Sequence, residues 1–305
     1  MFPISNGMNR ADIKIGFGCN NHCLFCVQGD KRDFCFHKEL KEIKESLEEA
    51  KGQGNDEAVF TGGEPTLHPN FLEIVQYSRK IGFKEVQIQT NGRLFSYKDF
   101  CLKTIKAGAT QFSPALHGHN AEIHDFLTDA KGSFDQTSQG IKNLRSLNQY
   151  VLTNTVITSK NAKYLPQIAK LLVKLGVNQF QFAFIHISGT AKKNIDWIVP
   201  QKSKIMKYIK KGLDIGIKAN KTVMTEAIPY CLMDGYEEYI AEKVIPPSVV
   251  YDAGFVVKDY HKYRKDKGKS KGPNCQKCKH FDICEGPWKE YPEIYGWEEF
   301  KPIKK

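Results

Sequence analysis

Short β-like runs alternate with amphipathic helical runs through the first two-thirds of the chain, and this alternation limits the fold more than any other feature. "IKIGF" from Ile13, "EAVFTGG" from Glu57, "EVQIQTNG" from Glu85, "QFSPAL" from Gln111, "YVLTNTVIT" from Tyr150 and "QFQFAFIHI" from Gln179 read as strands. Between them lie helical stretches such as "HKELKEIKESLEEAKGQG", with Leu40, Ile43 and Leu47 at helical spacing. Six such units in series predict an α/β fold with a parallel sheet and helices outside it. Right-handed crossovers wind that sheet one way, toward a barrel or partial barrel, with an open doubly wound sheet as the alternative. In both, ligands bind at the C-terminal ends of the strands. The regularity stops after about residue 217, where "KTVMTEA" gives one more strand and an irregular, cysteine-bearing stretch follows. We therefore divide the chain into residues 1–216 and a C-terminal extension, 217–305.

No apolar run is long enough to cross a bilayer, and the N-terminus lacks the basic-then-apolar order of a signal peptide, so a cytoplasmic protein is expected. Formal net charge is +11. Iron–sulfur clusters on three and on four cysteines would reduce it to roughly +8. Much of the excess sits in "KDYHKYRKDKGKSKG" from Lys258, which reads as a solvated loop. Nucleic-acid binding is not favoured.

The nine cysteines are an odd number for disulfides, and a reducing compartment favours metal ligation. Cys19, Cys23 and Cys26 form C-x3-C-x2-C just after the first strand. A structural zinc site takes four protein ligands. Three thiolates on a four-iron cluster leave one iron open to a substrate or cofactor. At the end of the second strand, Gly62, Gly63 and Glu64 stand in "TGGEP". Glycines permit close approach of backbone to a ligand, and the carboxylate can accept from an ammonium group.

These two motifs, one β–α unit apart, resemble the radical SAM superfamily, and the resemblance extends through about residue 215. It implies a partial (β/α)6 TIM-like barrel. It also implies a [4Fe-4S] cluster on Cys19, Cys23 and Cys26 whose open iron is chelated by S-adenosylmethionine (SAM). Electron transfer from the cluster then releases a 5′-deoxyadenosyl radical that abstracts hydrogen from the substrate. Phe25, before the third cysteine, fits the family pattern, and Gly62, Gly63 and Glu64 look like the motif that binds the methionine amino group. "QTNG" (Gln89 to Gly92) and Ser113 fall where such enzymes contact SAM or substrate, and Asn154 on strand five is a candidate for the ribose hydroxyls. In "LHGHNAEIHDF", His117 is a substrate-side candidate, while the His124–Asp125 pair is expected to fix its own loop.

Cys275, Cys278 and Cys284 give C-x2-C-x5-C, with Cys231 as the natural fourth thiolate. Four thiolates saturate a metal, either a zinc ion or a four-iron cluster. The spacing resembles the start of the SPASM motif of peptide-modifying radical SAM enzymes. It departs where Trp288 replaces the next cysteine, so a one-cluster "twitch" extension with an auxiliary [4Fe-4S] cluster is the closer resemblance. Cys101 and Cys35 are expected in the core, and Trp288, Tyr291, Tyr295 and Trp297 are read as packing for a small domain. The reading is an enzyme acting on a small molecule or a peptide, with an electron donor such as flavodoxin or ferredoxin. The alternatives are an RNA- or nucleotide-modifying radical SAM enzyme and a non-catalytic iron–sulfur or zinc protein. The short stretch before Cys19 leaves no room for a leader-binding domain, so a peptide would need another handle. The "FKPIKK" end lacks the glycine-rich, arginine-ended tail of the pterin-forming cyclase.

Overall fold

Alternating residue chemistry gives each strand two unlike faces, and the computed structural model, which describes residues 9–304, sorts them cleanly. Residues 1–8, the first part of the stretch on which the signal-peptide reading falls, lie outside those residues. Strands β1 (Asn9–Lys14), β2 (Asn55–Thr61), β3 (Glu85–Thr90), β4 (Gln111–Pro114), β5 (Tyr150–Ile157) and β6 (Gln179–Phe184) pair in sequence order, all parallel. Helices α1 (Leu40–Gly52), α2 (Phe71–Lys80), α3 (Lys98–Ala107), α4 (Ala121–Thr128), α5 (Ser133–Ser146) and α6 (Leu165–Lys174) make the crossovers. After β6 come two single turns, α7 (Thr190–Lys193) and α8 (Ile195–Ile198), and then α9 (Lys202–Lys218).

The sheet continues into the C-terminal segment. β7 (Thr222–Glu226) pairs parallel with β6, and β8 (Ser248–Tyr251) pairs parallel with β1 on the far side. The hairpin strand β9 (Val256–Val257) finishes that edge antiparallel. The order β7-β6-β5-β4-β3-β2-β1-β8-β9 is open, a partial barrel with β7 and β9 as its edges. The chain between β7 and β8 lines the interior with Ala241, Val244, Ile245 and Pro246. Among the described residues no helix is long and apolar enough to cross a membrane.

One face of the sheet is apolar. Ile13, Phe60, Ile88, Phe112, Phe180 and Val223 join Ile43, Ile74, Leu144, Leu172 and Ile209 from the helices in one buried cluster. The other face is polar and borders a cavity of about 850 Å³, with Gln87, Gln89, Gln111, Gln179 and Gln181 among its walls. A parallel sheet covered by helices on both faces would carry near-continuous apolar strands. Polar alternation in these strands is what a hollow, wet concave face requires.

Lys202, at the start of α9, is fully buried, and its Nζ lies over the rings of Phe184 and Tyr291 with no hydrogen-bond partner among the described residues. Burial holds its amine well below the usual lysine range. The folded chain therefore binds that proton less tightly than the unfolded chain, which holds it below about pH 10.4. Stability from this site rises with pH, and the cost is largest at neutral and acid pH. Lys202→Met should raise stability at pH 7 by about 1–3 kcal/mol and flatten the alkaline part of the stability–pH curve. Denaturant melts at pH 7 and pH 10 would check both.

Candidate functional site

The three N-terminal thiols sit on a loop that leaves β1 at the C-terminal mouth of the barrel, and the loop is held from several directions. Gly63 N donates to Gly16 O at 2.9 Å and Glu64 N to Gly18 O at 2.8 Å. His22 N and Leu24 N donate to Thr128 O and Leu127 O at the end of α4. Thr190 N of α7 donates to Cys26 O at 2.8 Å. Asn194 Nδ2 donates to Leu24 O, and Arg93 Nη1 donates to Asn21 Oδ1 at 2.9 Å. Cys19, Cys23 and Cys26 all border the cavity. Burial pushes the Cys19 thiol up to about 11, with the nearby Glu64 carboxylate adding to it, and pushes Cys23 well above its usual value. Such thiols give up their protons when metal supplies compensating charge.

Gly62 and Gly63 serve a closer contact than the one read from sequence. Gly62 has φ +121°, and a Cβ there would stand 2.0 Å from Gly16 O; at Gly63 it would stand 2.4 Å from Phe17 O and Gly18 O. The glycines let the end of β2 touch the backbone of the cysteine loop, whatever ligand lies beyond. Gly63→Ala should push that loop away and break both cross-loop bonds, a loss of about 2–4 kcal/mol. Iron uptake in reconstitution, read with the melting temperature, should fall with it.

Glu64 is 3 % exposed and joins the ends of β2 and β3. Its Oε1 accepts from Thr66 N at 3.0 Å, Thr66 Oγ1 at 2.6 Å and Thr90 Oγ1 at 2.8 Å, and its Oε2 accepts from Asn91 N at 2.6 Å. Burial raises its pKa while these bonds oppose the rise. Oε2 keeps a second lone pair for a further donor. Asn91 in turn reaches Asn20 on the cysteine loop through Nδ2.

Ser113 and Asn154 also border the cavity, on β4 and β5. Asn154 Oδ1 has no hydrogen-bond partner among the described residues. Phe25 is buried and meets His117 edge-on at 4.6 Å. His117 borders the cavity and accepts at Nδ1 from Val156 N, which places its own proton on Nε2. Burial, with His124 beside it, keeps its imidazole neutral. Asp125 accepts from Gly132 N, Ser133 Oγ and Phe134 N, so it ties the start of α5 to α4.

Cys231, Cys275, Cys278 and Cys284 border one small apolar cavity with Pro229, Phe281 and Phe300. Burial pushes the Cys231 thiol up to about 12, with Cys284, Cys278 and Cys275 each adding to it. Among the described residues no three Cys, His, Asp or Glu side chains are grouped tightly enough for a single metal ion. Cys101 is a core residue whose Sγ meets Phe95 O at 3.1 Å. Cys35, expected in the core, is instead half-buried in the loop against Phe17, where its carbonyl accepts from Phe17 N. Tyr291 and Trp288 are buried, Trp288 stacking on His186 with ring centres 4.0 Å apart.

The stretch read as a solvated loop is only partly one. α10 (Tyr260–Tyr263) and the π-turn after it set Tyr260 and Arg264 against the cavity. Arg264 is buried in a bidentate pair with Glu285, both contacts 2.7 Å. Lys269 is buried against Glu242 at 3.0 Å. Glu226, at the end of β7, also faces the cavity. Sequence reasoning misses Glu226, Tyr260 and Arg264; the alternation in "TVMTE" is the one signal that points inward.

A family model described as the Radical SAM superfamily matches residues 13–172, just over half of the chain. A protein of Saccharolobus islandicus named "Probable GTP 3',8-cyclase" is 31% identical over 177 residues, covering 57% of this chain and 56% of its own. An "AdoMet-dependent heme synthase" of Methanosarcina barkeri is 28% identical over 191 residues, covering 62% and 54%. The chain thus spans little more than half the length of these curated relatives. Among solved structures, Streptococcus suis SuiB bound to S-adenosylmethionine aligns with TM-score 0.68 at 14% identity, covering 97% of this chain and 77% of its own. Native anSMEcpe with bound AdoMet and Cp18Cys peptide aligns with TM-score 0.67 at 17% identity, covering 96% and 95%. At such identities the likeness is one of fold.

Proposed function

The chain belongs to the radical SAM superfamily and is an enzyme that binds SAM, and from that premise we propose that it modifies a peptide or a small molecule by hydrogen abstraction, with one auxiliary [4Fe-4S] cluster. The observation that carries this reading is the meeting of three thiols and the glycine pair at one mouth of an 850 Å³ cavity, with Glu64 buried next to them and bonded through its N–H to the cysteine loop. That volume suits a cofactor together with part of a substrate. When bound, the cluster and SAM supply a carbon-centred radical able to take hydrogen from a C–H bond.

The chain's own residues position and protect. Cys19, Cys23 and Cys26 would hold the cluster, and three thiols fit a site that keeps one iron open. Glu64 would accept from the methionine ammonium at its spare Oε2 lone pair. Ser113 and Asn154 would orient the nucleoside part, Asn154 through its unpartnered Oδ1. Phe25 and His117 would wall the site, His117 as a neutral donor.

Cys231, Cys275, Cys278 and Cys284 would hold the auxiliary cluster within residues 217–305. The likeness of C-x2-C-x5-C to the start of the SPASM motif supports a cluster over zinc. An electron donor such as flavodoxin or ferredoxin would supply the reducing electron. SuiB and anSMEcpe have been solved with peptides, SuiA and Cp18Cys, which supports a peptide. Arginines 10, 32 and 264 border the cavity. Arg10 and Arg264 are each held bidentate, by Glu57 and by Glu285. Arg32 lies close enough to Cys19 and Cys23 to lower their pKa, so its charge belongs to the thiol end. Among the described residues that leaves no group of open cations for a nucleoside triphosphate, which weighs against the nucleotide reading.

Anaerobic reconstitution should give about eight irons per chain and reductant-dependent release of 5′-deoxyadenosine from SAM. Four irons and one zinc would reduce the second site to a structural role. No release with both clusters loaded would sink the enzymatic reading.

A further inference from the structure

The cavity wall supplied by the C-terminal segment holds one carboxylate more than its cations can neutralise. Glu226 and Arg264 border the cavity there, with Glu242, Glu285 and Lys269 packed behind them. Arg264 is taken by Glu285 at 2.7 Å and Lys269 by Glu242 at 3.0 Å. The other charged groups nearby do not alter the balance. Burial keeps His186 neutral, its pKa lowered to about 4, and holds Lys202 well below the usual lysine range. His261 lies 4.0 Å from Glu285 and is 41% exposed. Asp12, on β1, is paired with Lys14 at 3.2 Å.

Glu226 is the carboxyl left over. It borders the cavity, and its one hydrogen-bond partner among the described residues is Gln181 Nε2, 2.6 Å from Oε2. Oε1 is open. Glu242 adds an independent sign: its Oε1 accepts from Ala227 N and Lys269 Nζ, while its Oε2 is buried with no donor among the described residues. Burial, and next Glu242, raise the pKa of Glu226. Tyr260 stands near Glu226 and also borders the cavity. Each of the two carboxyls thus keeps one oxygen without a donor among the described residues, and that of Glu226 stands next to open volume.

We propose that Glu226, backed by Glu242, anchors a cationic nitrogen of the substrate, a primary ammonium such as an amino-acid or peptide amine, on a wall of the cavity that the cysteine loop does not build. The inference rests on the SAM-dependent reading for the location of the chemistry, and it narrows the substrate to amine-bearing molecules. An ammonium supplies N–H donors to the open Glu226 oxygen and brings a positive charge to a wall that Glu242 makes more negative. A neutral alcohol of the same shape supplies one donor and no charge.

The test uses the anaerobically reconstituted protein with SAM and two probes of near-equal shape, 2-phenylethylammonium and 2-phenylethanol. Ligand-observed NMR should show the ammonium binding at least about tenfold tighter. Glu226→Gln, which keeps the size and a polar contact to Gln181, should bring the ratio to within about twofold. Raising the salt concentration should narrow the ratio in the parent protein and leave it unchanged in Glu226→Gln. A purely structural carboxyl would not give that salt dependence. Equal affinity for the two probes, or a preference that survives Glu226→Gln, overturns the assignment. Failure of the SAM reading would show elsewhere, as absent 5′-deoxyadenosine release from the parent protein with its clusters loaded.

Discussion

Cys23→Ala should lower 5′-deoxyadenosine release by at least a thousandfold, about 4 kcal/mol of lost barrier reduction. The expectation follows from the count of thiols at the mouth of the barrel. Only Cys19, Cys23 and Cys26 border the cavity among the nine cysteines, so no spare thiol stands beside them. Burial holds the Cys23 thiol well above its usual value, so metal must supply the charge that lets it ionise there. Iron should fall from about eight to about four per chain, because the second thiol set is separate. Cys35→Ser is the control and should leave iron and release unchanged, since Cys35 lies in neither set. Equal iron in both variants would remove Cys23 from the ligand set.

The second large effect belongs to Glu64. Glu64→Ala leaves Asn91 N and Thr66 N without their acceptor in a buried place and unties β2 from β3, at about 3–5 kcal/mol. The melting temperature should drop by roughly 5–10 °C. Glu64→Gln retains one acceptor oxygen, so its drop should be about half as large. If Glu64 also receives the methionine ammonium, Glu64→Gln should weaken SAM binding about tenfold or more while the fold survives. Undiminished SAM affinity in a folded Glu64→Gln protein would confine the residue to joining the strands.

Much of the barrel is legible because its signals are local. Period-two and period-3.6 patterns alternate six times, and each strand from β1 to β6 lies where that pattern puts it to within a few residues. β8 is not legible. It is four residues in a proline-rich stretch, and its pairing sets Ser248 beside Arg10, from the far end of the chain. The polar alternation of Gln87, Gln89, Gln111, Gln179 and Gln181 is present in the sequence as a sign of a hollow concave face. Burial of Arg264 and Lys269 is hidden, because the lysines around them are solvated and their partners Glu285 and Glu242 are 21 and 27 residues away. The glycines of "TGGEP" mark the right place, yet the contact that demands them is with Gly16 and Gly18, which spacing alone does not reveal.

The stretch of chain from β7 onward has a consequence for how such a protein diversifies. The residues proposed for SAM lie within residues 19–154, inside the segment that matches the family model. Glu226, Ala241, Val244, Tyr260 and Arg264, which complete the cavity, all come from the chain beyond it. Inheritance can therefore hold the radical-generating half fixed while the closing stretch drifts, exchanging one clientele of substrates for another as a lock is rekeyed without recutting its bolt.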